Sequence, residues 1–207
     1  CRREQEKLYL KGDRCKTDRC PLEASRGKRA KGVPGAGRKF RRRLTDFGVQ
    51  LREKQKLRRY YLITEKQFSN YVKKAGSMKG TKSSNLFKLL ESRLDMVIFR
   101  LGIGRSKMEA RQLVTHGFFT VNQRRADIAS FLVKQGDVIE FKKNVLDKHP
   151  ALKERLDEVD PGKAPAWLKF NKDLMIAEVV EAPKGEDIKS MYFTELKENL
   201  VIEYYSR

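Results

Sequence analysis

The stretch from Ser92 to Phe141 changes its hydrophobic period part-way along, and few folds can accommodate that change. In SRLDMVIFRLG the residues Leu94, Val97, Ile98 and Leu101 fall at the i, i+3, i+4, i+7 spacing of one helix face. In SKMEARQLVTHG, Ala110, Leu113 and Val114 form a second apolar face. Ser92-x-x-Asp95 and Ser106-x-x-Glu109 have the form of capping boxes, in which a hydroxyl and a carboxylate satisfy the first N–H groups of a helix. Gly102 and Gly117 stand where a left-handed residue can end each helix. Phe119 and Val121 then alternate as in a half-buried strand, Asn122 suits a turn, and Gly136-Asp137 leads a second strand over Val138–Phe141. The expected unit is two short helices packed on a small antiparallel sheet.

This unit also carries Arg93, Arg100, Arg105, Lys107, Arg111, Arg124 and Arg125. Two helices and a turn are expected to expose so many cations to solvent or to an anion, because burial of an unpaired charge is costly. The guanidinium fork matches phosphate oxygens two at a time, so a structured RNA backbone is the expected anion. A solvated basic face is the competing reading. The chain as a whole has 207 residues with 47 Lys+Arg against 27 Asp+Glu, a net charge of +20 that favours a polyanionic partner. The basic excess lies before Asp147, and the tail from there has slightly more acids than bases, so contact is expected in the first two-thirds. No apolar run approaches the roughly 20 residues of a membrane-spanning helix.

The motifs S-R-L-D, R-L-G, S-K, A-R-Q-L-V, H-G and V-N stand at Ser92–Asp95, Arg100–Gly102, Ser106–Lys107, Ala110–Val114, His116–Gly117 and Val121–Asn122. Together they resemble the small RNA-binding domain named after the fourth protein of the small ribosomal subunit. That domain is also found in some pseudouridine synthases and tyrosyl-tRNA synthetases. The sequence departs from the pattern at Phe118, where the family often has His, and at Gln123, where it usually has Gly. A second string, QLREKQKLRRYY from Gln50 to Tyr61, resembles a motif of the bacterial-type ribosomal family itself, with Leu62 where the family usually has Gly. The ending NLVIEYYSR resembles the family's helical C-terminus, which packs back on the N-terminal helices.

The three cysteines, Cys1, Cys15 and Cys20, lie in a polar opening segment. A tetrahedral zinc site needs four ligands, and free thiols are the alternative. The resemblance supplies a reason for the spacing: cysteine-containing members carry C-x2-C-x13-C-x4-C, whose last three positions match Cys1, Cys15 and Cys20. The first would precede Cys1, since the chain starts at Cys rather than Met. The resemblance therefore implies a zinc ion, with an iron–sulfur cluster as the alternative. Arg26 to Arg43 is a basic run rich in Gly and without acids; it reads as an extended arm along phosphates or as a linker. Thr45 and Asp46 offer a cap for a helix with Leu51 and Leu57 inward. Thr64-x-x-Gln67 caps another, with Phe68, Tyr71, Val72 and Ala75 as its stripe and Gly76 at its end. Lys79–Ser84 reads as a connector and Asn85–Glu91 as a further helical turn or two. Beyond Phe141 a linker and short helix precede strand-like segments at Trp167, Phe170, Met175, Ile176 and Val179.

The expected fold class is α+β. A mostly helical N-terminal domain is completed by the C-terminal segment, and an α/β RNA-binding domain is inserted. The expected divisions are a cysteine metal-binding knuckle at 1–25, a basic extended arm at 26–44, a helical domain at 45–91, an RNA-binding α/β domain at 92–182 and a C-terminal segment at 183–207. No P-loop, GxGxxG, HExxH or nucleophile elbow occurs, and an enzyme is not expected. The resemblance implies a structural constituent of the small ribosomal subunit, cytoplasmic and in the ribosome, with an organellar ribosome the alternative. It implies a primary rRNA-binding protein that nucleates assembly of the 16S rRNA five-prime domain at its five-way junction. It further implies contact with the fifth small-subunit protein, a place on the mRNA entry path, a contribution to translational accuracy and, in some bacteria, repression of its own operon mRNA. The expected RNA contacts are Arg38, Lys39, Arg41, Arg42, Arg43, Arg52, Lys54, Lys56, Arg58, Arg59, Arg93, Arg100, Arg105, Ser106, Lys107, Arg111, Gln112, His116, Asn122, Arg124 and Arg125. The other reading is an RNA-modifying or ribosome-rescue factor built on the same domain. The chain beyond Phe141 is too short for an added catalytic domain of ordinary size, and a rescue factor would not need the LREKQKLRR helix or the cysteines.

Overall fold

The computed structural model describes residues 1–22, 44–142, 145–184 and 196–206. Among these the helices are α1 (Asp46–Tyr60), α2 (Glu65–Gly76), α3 (Lys82–Glu91), α4 (Leu94–Arg100), α5 (Lys107–Thr115), α6 (Val145–Lys148), α7 (Pro150–Glu158) and α8 (Glu198–Tyr205). The strands are β1 (Phe119–Val121), β2 (Arg124–Ala126), β3 (Val138–Phe141), β4 (Leu168–Asn171) and β5 (Ile176–Val179). The chain divides into two compact units, Cys1–Leu86 with Met191–Arg207 and Phe87–Ser190, so the division falls within α3.

In the first unit, Thr45 caps α1 by accepting the Gly48 N–H at 3.2 Å. Thr64 and Gln67 form the complete reciprocal capping box of α2. Between these helices Leu62 adopts φ +54°, so the turn keeps a left-handed residue although the side chain is not glycine. The buried Asn85 amide donates to the carbonyls of Ala75, Met78 and Lys79, each at 3.2 Å, and closes the turn between α2 and α3. The connector expected at Lys79–Ser84 is shorter than that, because Lys82–Ser84 already belong to α3. The C-terminal helix α8 packs on α1. Phe47 and Tyr204 meet with ring centroids 5.6 Å apart, and the Gln50 amide donates to Glu203 at 3.0 Å. Glu65 accepts both Lys54 Nζ at 2.8 Å and the Tyr205 hydroxyl at 2.6 Å. Burial opposes ionisation of Glu65, but the hydrogen bonds from Lys54 and Tyr205 outweigh it and hold the carboxyl below its ordinary pKa.

In the second unit the five strands form an antiparallel sheet in the order β2-β1-β3-β5-β4. The register pairs Val121 with Arg124 across a two-residue turn, Phe119 with Phe141, and Ile139 with Ala177. Inward residues alternate along the strands: Leu168 and Phe170 in β4, Ala177 and Val179 in β5. Ile98, Leu101 and Ile103 share one crevice with Phe119, Ile139 and Ala177, so α4 and the loop after it cover this face of the sheet. The strand-like segments around Trp167–Val179 thus complete the sheet of the central unit.

The entry to α4 departs from expectation. Ser92 does not cap it; its hydroxyl donates to the Lys88 carbonyl at 2.7 Å, and α4 begins at Leu94 without a side-chain cap. The free N–H groups are satisfied instead by a passing loop. Leu94 donates to the Phe131 carbonyl at 2.8 Å and Asp95 to the Ala129 carbonyl at 3.2 Å. Helix α5 is capped as the sequence indicates, Ser106 Oγ accepting the Glu109 N–H at 3.2 Å, while Glu109 reaches back to the Arg105 N–H at 2.8 Å.

Gly104, between α4 and α5, lies against α5 so closely that a Cβ would stand 2.8 Å from Ala110 Cβ and 2.9 Å from its Cα and N. Two of these three neighbours are backbone and cannot swing away. We expect Gly104→Ala to destabilise the protein by about 1–3 kcal/mol, read as a lower denaturation midpoint in urea; an unchanged midpoint would contradict this close approach.

Candidate nucleic-acid interface

The sequence places a dense set of cations in the second unit, but the fold spends several of them internally. Arg93 is 0% exposed. Its Nε donates to Asp95 Oδ1 at 3.0 Å and its Nη2 to Asp95 Oδ2 at 2.7 Å, a bidentate pair. Arg111, on α5, donates its Nε to the same Oδ2 at 3.1 Å. Arg100 makes a second bidentate pair, with Nε and Nη2 at 2.8 and 2.7 Å from the buried carboxylate of Glu91. Lys107 is buried with its ammonium 5.1 Å from the centre of the Phe99 ring. The expectation that these cations all face solvent or an anion is therefore corrected at Arg93, Arg100 and Lys107. Asp95, read as a cap, is instead the acceptor that makes burial of Arg93 tolerable. Glu91 follows Leu89-Leu90 and Asp95 stands between Leu94 and Met96, apolar neighbours that signal pairing with buried cations rather than with solvent.

The same happens on α1. Lys54 and Lys56 are buried, 3% and 4% exposed. Lys54 Nζ lies under the Tyr204 ring at 4.5 Å as well as on Glu65, and Lys56 Nζ stands 2.8 Å from both Glu6 and Glu53. The expectation of an anion-facing surface at Lys54 and Lys56 is corrected accordingly. Arg52 and Arg59 both reach the buried carboxylate of Glu4, and Arg58 pairs with Gln55 and Glu65. These contacts tie the cysteine-bearing segment to α1. Arg38, Lys39, Arg41, Arg42 and Arg43 lie outside the described residues.

What remains at the surface of the second unit is concentrated on α5 and the β1–β2 hairpin. Arg105, Gln112, His116, Asn122, Arg124 and Arg125 are exposed, and Ser106 and Arg111 are half-buried. The hairpin turn has Asn122 at φ +49° and Gln123 at φ +65°, so both turn residues are left-handed, although neither is glycine. Asn122 is locked there: its amide donates to Asp137 at 2.8 Å and its Oδ1 accepts the Val138 N–H at 2.9 Å. The hairpin brings the Arg125 guanidinium over Gly117, at the end of α5. A Cβ on Gly117 would stand 3.3 Å from Arg125 Nε and 3.4 Å from Nη2, and Gly117 itself has φ +71°. Arg125 also pairs with Asp127 at 3.1 Å, both side chains being well exposed. An exposed ion pair of this kind is weak and leaves the guanidinium available for exchange onto a phosphate. The arrangement can hold a polyanion; it contains no nucleophile–base pair.

The cysteines lie in the first unit. Cys15 and Cys20 are buried and Cys1 is half-buried, all three as free thiols. The Leu8 N–H points at Cys1 Sγ at 3.4 Å and the Lys11 N–H at Cys15 Sγ at 3.3 Å. Backbone donors aimed at sulfur stabilise thiolate charge, which suits zinc. Among the described residues, however, no three Cys, His, Asp or Glu side chains are gathered into a metal-holding group.

Comparison with known proteins places this geometry. The family model for the ribosomal protein S4/S9 N-terminal domain matches residues 1–91, and the model for the S4 domain matches residues 92–139. The chain is 46% identical to the small ribosomal subunit protein uS4 of Ruminiclostridium cellulolyticum over 208 residues, covering 100% of this chain and 95% of the relative. It is 47% identical over 207 residues, with the same coverage, to the proteins of that name from Pelotomaculum thermopropionicum and Clostridioides difficile. The chain belongs to the uS4 family. This family is structural and non-enzymatic, and its S4 domain is an RNA-binding one. The S4-domain match begins at Ser92, next to the buried Arg93 that pairs with Asp95. No helix among the described residues is long and apolar enough to cross a membrane.

Removing the carboxylate of a buried ion pair weakens the compensation of the buried cation. We expect Asp95→Ala, which removes the carboxylate that Arg93 and Arg111 both donate to, to cost about 3–5 kcal/mol, whereas Arg124→Ala should leave the melting temperature within about a degree or two. Equal melting temperatures for the two variants would contradict the assigned roles.

Proposed function

We propose that this chain is a structural component of the small ribosomal subunit that binds small-subunit rRNA through α5 and the β1–β2 hairpin. The observation that carries the reading is the Arg125 guanidinium held over Gly117 beside the exposed Gln112, His116 and Arg124, in a chain of net charge +20. The elements that carry these side chains are rigid: Asn122 is fixed by three hydrogen bonds, counting its N–H to the Val138 carbonyl at 2.8 Å, and Gly104 brings the inter-helix loop against α5. Recognition of this kind reads the shape and phosphate positions of folded RNA more than base sequence.

Within that reading the chain binds the five-prime domain of 16S rRNA early and nucleates its assembly. It touches neighbouring proteins including the fifth of the subunit, lies on the mRNA entry path, contributes to accuracy and represses its own operon mRNA. Family membership supports this finer reading. Cys1, Cys15 and Cys20, free thiols that are not gathered into one group, would have to close together to supply thiolates to a zinc ion, a reading supported by the amide groups aimed at Cys1 and Cys15.

The first test is titration of the protein with a five-prime-domain rRNA fragment against a scrambled RNA of equal length, at several salt concentrations. We expect selective binding that persists at moderate salt, and a salt slope reduced by about one on Arg124→Ala. Equal affinity for both RNAs would overturn the ribosomal reading. For the metal, we expect zinc addition to raise amide-exchange protection in residues 1–22, with reversal by chelator; no change in protection would remove zinc from the account.

A further inference from the structure

The two histidines of the chain both lie against one phenylalanine. His116, at the C-terminal cap of α5, lies with its ring centroid 5.8 Å from that of Phe118 at an interplanar angle of 72°. His149, just before α7, lies 4.9 Å from Phe118 at 34°, a tilted ring contact. Both histidines are exposed and Phe118 is half-buried. The elements that bring them together are far apart in sequence: the end of α5, the start of β1, and the turn between α6 and α7. An aromatic cluster placed for packing would turn inward, as Phe119 does at 1% exposure beside Phe141. This one faces out.

Its surroundings are basic. The Phe118 carbonyl accepts the Lys142 N–H at 2.8 Å, so exposed Lys142 stands next to it across the sheet. Arg125 holds its guanidinium over Gly117, the residue between His116 and Phe118. Exposed Lys148 adjoins His149, with Asp147 beside it, and Asp127 is the ion-pair partner of Arg125. Rings offer a π-face to any base, and cations next to them hold the adjoining phosphates; the two together are the chemistry of a site for unpaired nucleotides.

The geometry points to a nucleobase-stacking platform formed by His116, Phe118 and His149, which takes an unpaired base of the bound RNA while Arg125 and Lys142 meet the flanking phosphates. This rests on the rRNA-binding reading above and adds to it a contact with a base rather than with the backbone. It also gives half-buried Phe118 a role that an imidazole could fill, since imidazole and phenyl rings both stack.

The test uses the full chain and the five-prime-domain rRNA fragment, with variants Phe118→Leu, Phe118→His, His149→Ala and Arg125→Ala, each checked for an unchanged melting temperature. Leucine keeps the apolar bulk without a π-face, and exposed His149 tests the platform independently of Phe118. We expect Phe118→Leu and His149→Ala each to weaken binding about tenfold at every salt concentration, with the salt slope unchanged, and Phe118→His to restore near-wild-type affinity. Arg125→Ala should instead lower the slope by about one. Unchanged affinity in both Phe118→Leu and His149→Ala, with the unsubstituted protein binding the fragment, overturns the platform and leaves the ribosomal reading intact. Failure of the unsubstituted protein to bind the fragment overturns both.

Discussion

The second unit depends on one buried charge. Arg93 has no exposed surface, and a guanidinium in that position is tolerable only if a carboxylate meets it with good geometry. Asp95 does so with both oxygens, and its Oδ2 also receives Arg111 from α5. The Asp95 N–H is bound to the Ala129 carbonyl, and Leu94 to that of Phe131. A single residue thus fixes the start of α4, the neighbouring face of α5 and the loop before β3. The hairpin meets the end of α5 through Arg125 and Gly117.

This arrangement changes what the net charge means. A charge of +20 argues for a polyanion as partner, but it does not say which cations meet it. Arg93 and Arg100 are consumed by Asp95 and Glu91, and Lys54, Lys56, Arg52 and Arg59 by Glu65, Glu53, Glu6 and Glu4. These cations hold helices and the cysteine segment together. Of the cations in the two-helix and hairpin segment, those left for a polyanion form a narrower and better defined set than the composition suggests, on α5, its C-terminal cap and the hairpin, with exposed Lys142 beside them. A narrow rigid surface discriminates between RNA shapes, where a diffuse one would bind any RNA and release it in salt.

Ring side chains refine that surface further. Guanidinium groups act on phosphate and are sensitive to ionic strength; the ring cluster of His116, Phe118 and His149 would act on a base and be insensitive to it. The two kinds of contact sit side by side because Gly117, with no Cβ, lets Arg125 close down between His116 and Phe118.

Much of this was open to a reader of the sequence, because local rules govern it. The apolar spacing of Leu94, Val97, Ile98 and Leu101, the caps at Thr45, Thr64 and Ser106, the left-handed Gly102 and Gly117, and the alternation in β1 and β4 all follow from backbone geometry and side-chain period within a few residues. The motifs at Ser92–Asp95 and Gln50–Tyr61 pointed to the family for the same reason: they are contiguous strings. Tertiary structure decided the fate of each charge. Whether an arginine is a surface contact or a buried strut depends on where the nearest carboxylate arrives, and for Lys56 and Glu6, or Arg111 and Asp95, that partner comes from a distant part of the chain. Burial and pairing also displaced Ser92 from its expected cap, since a carbonyl from Phe131 reached the Leu94 N–H in its place. The meeting of His149 with Phe118 belongs to the same class: no period or local spacing connects the two residues, and only the folding of α6 and α7 back toward β1 brings their rings together.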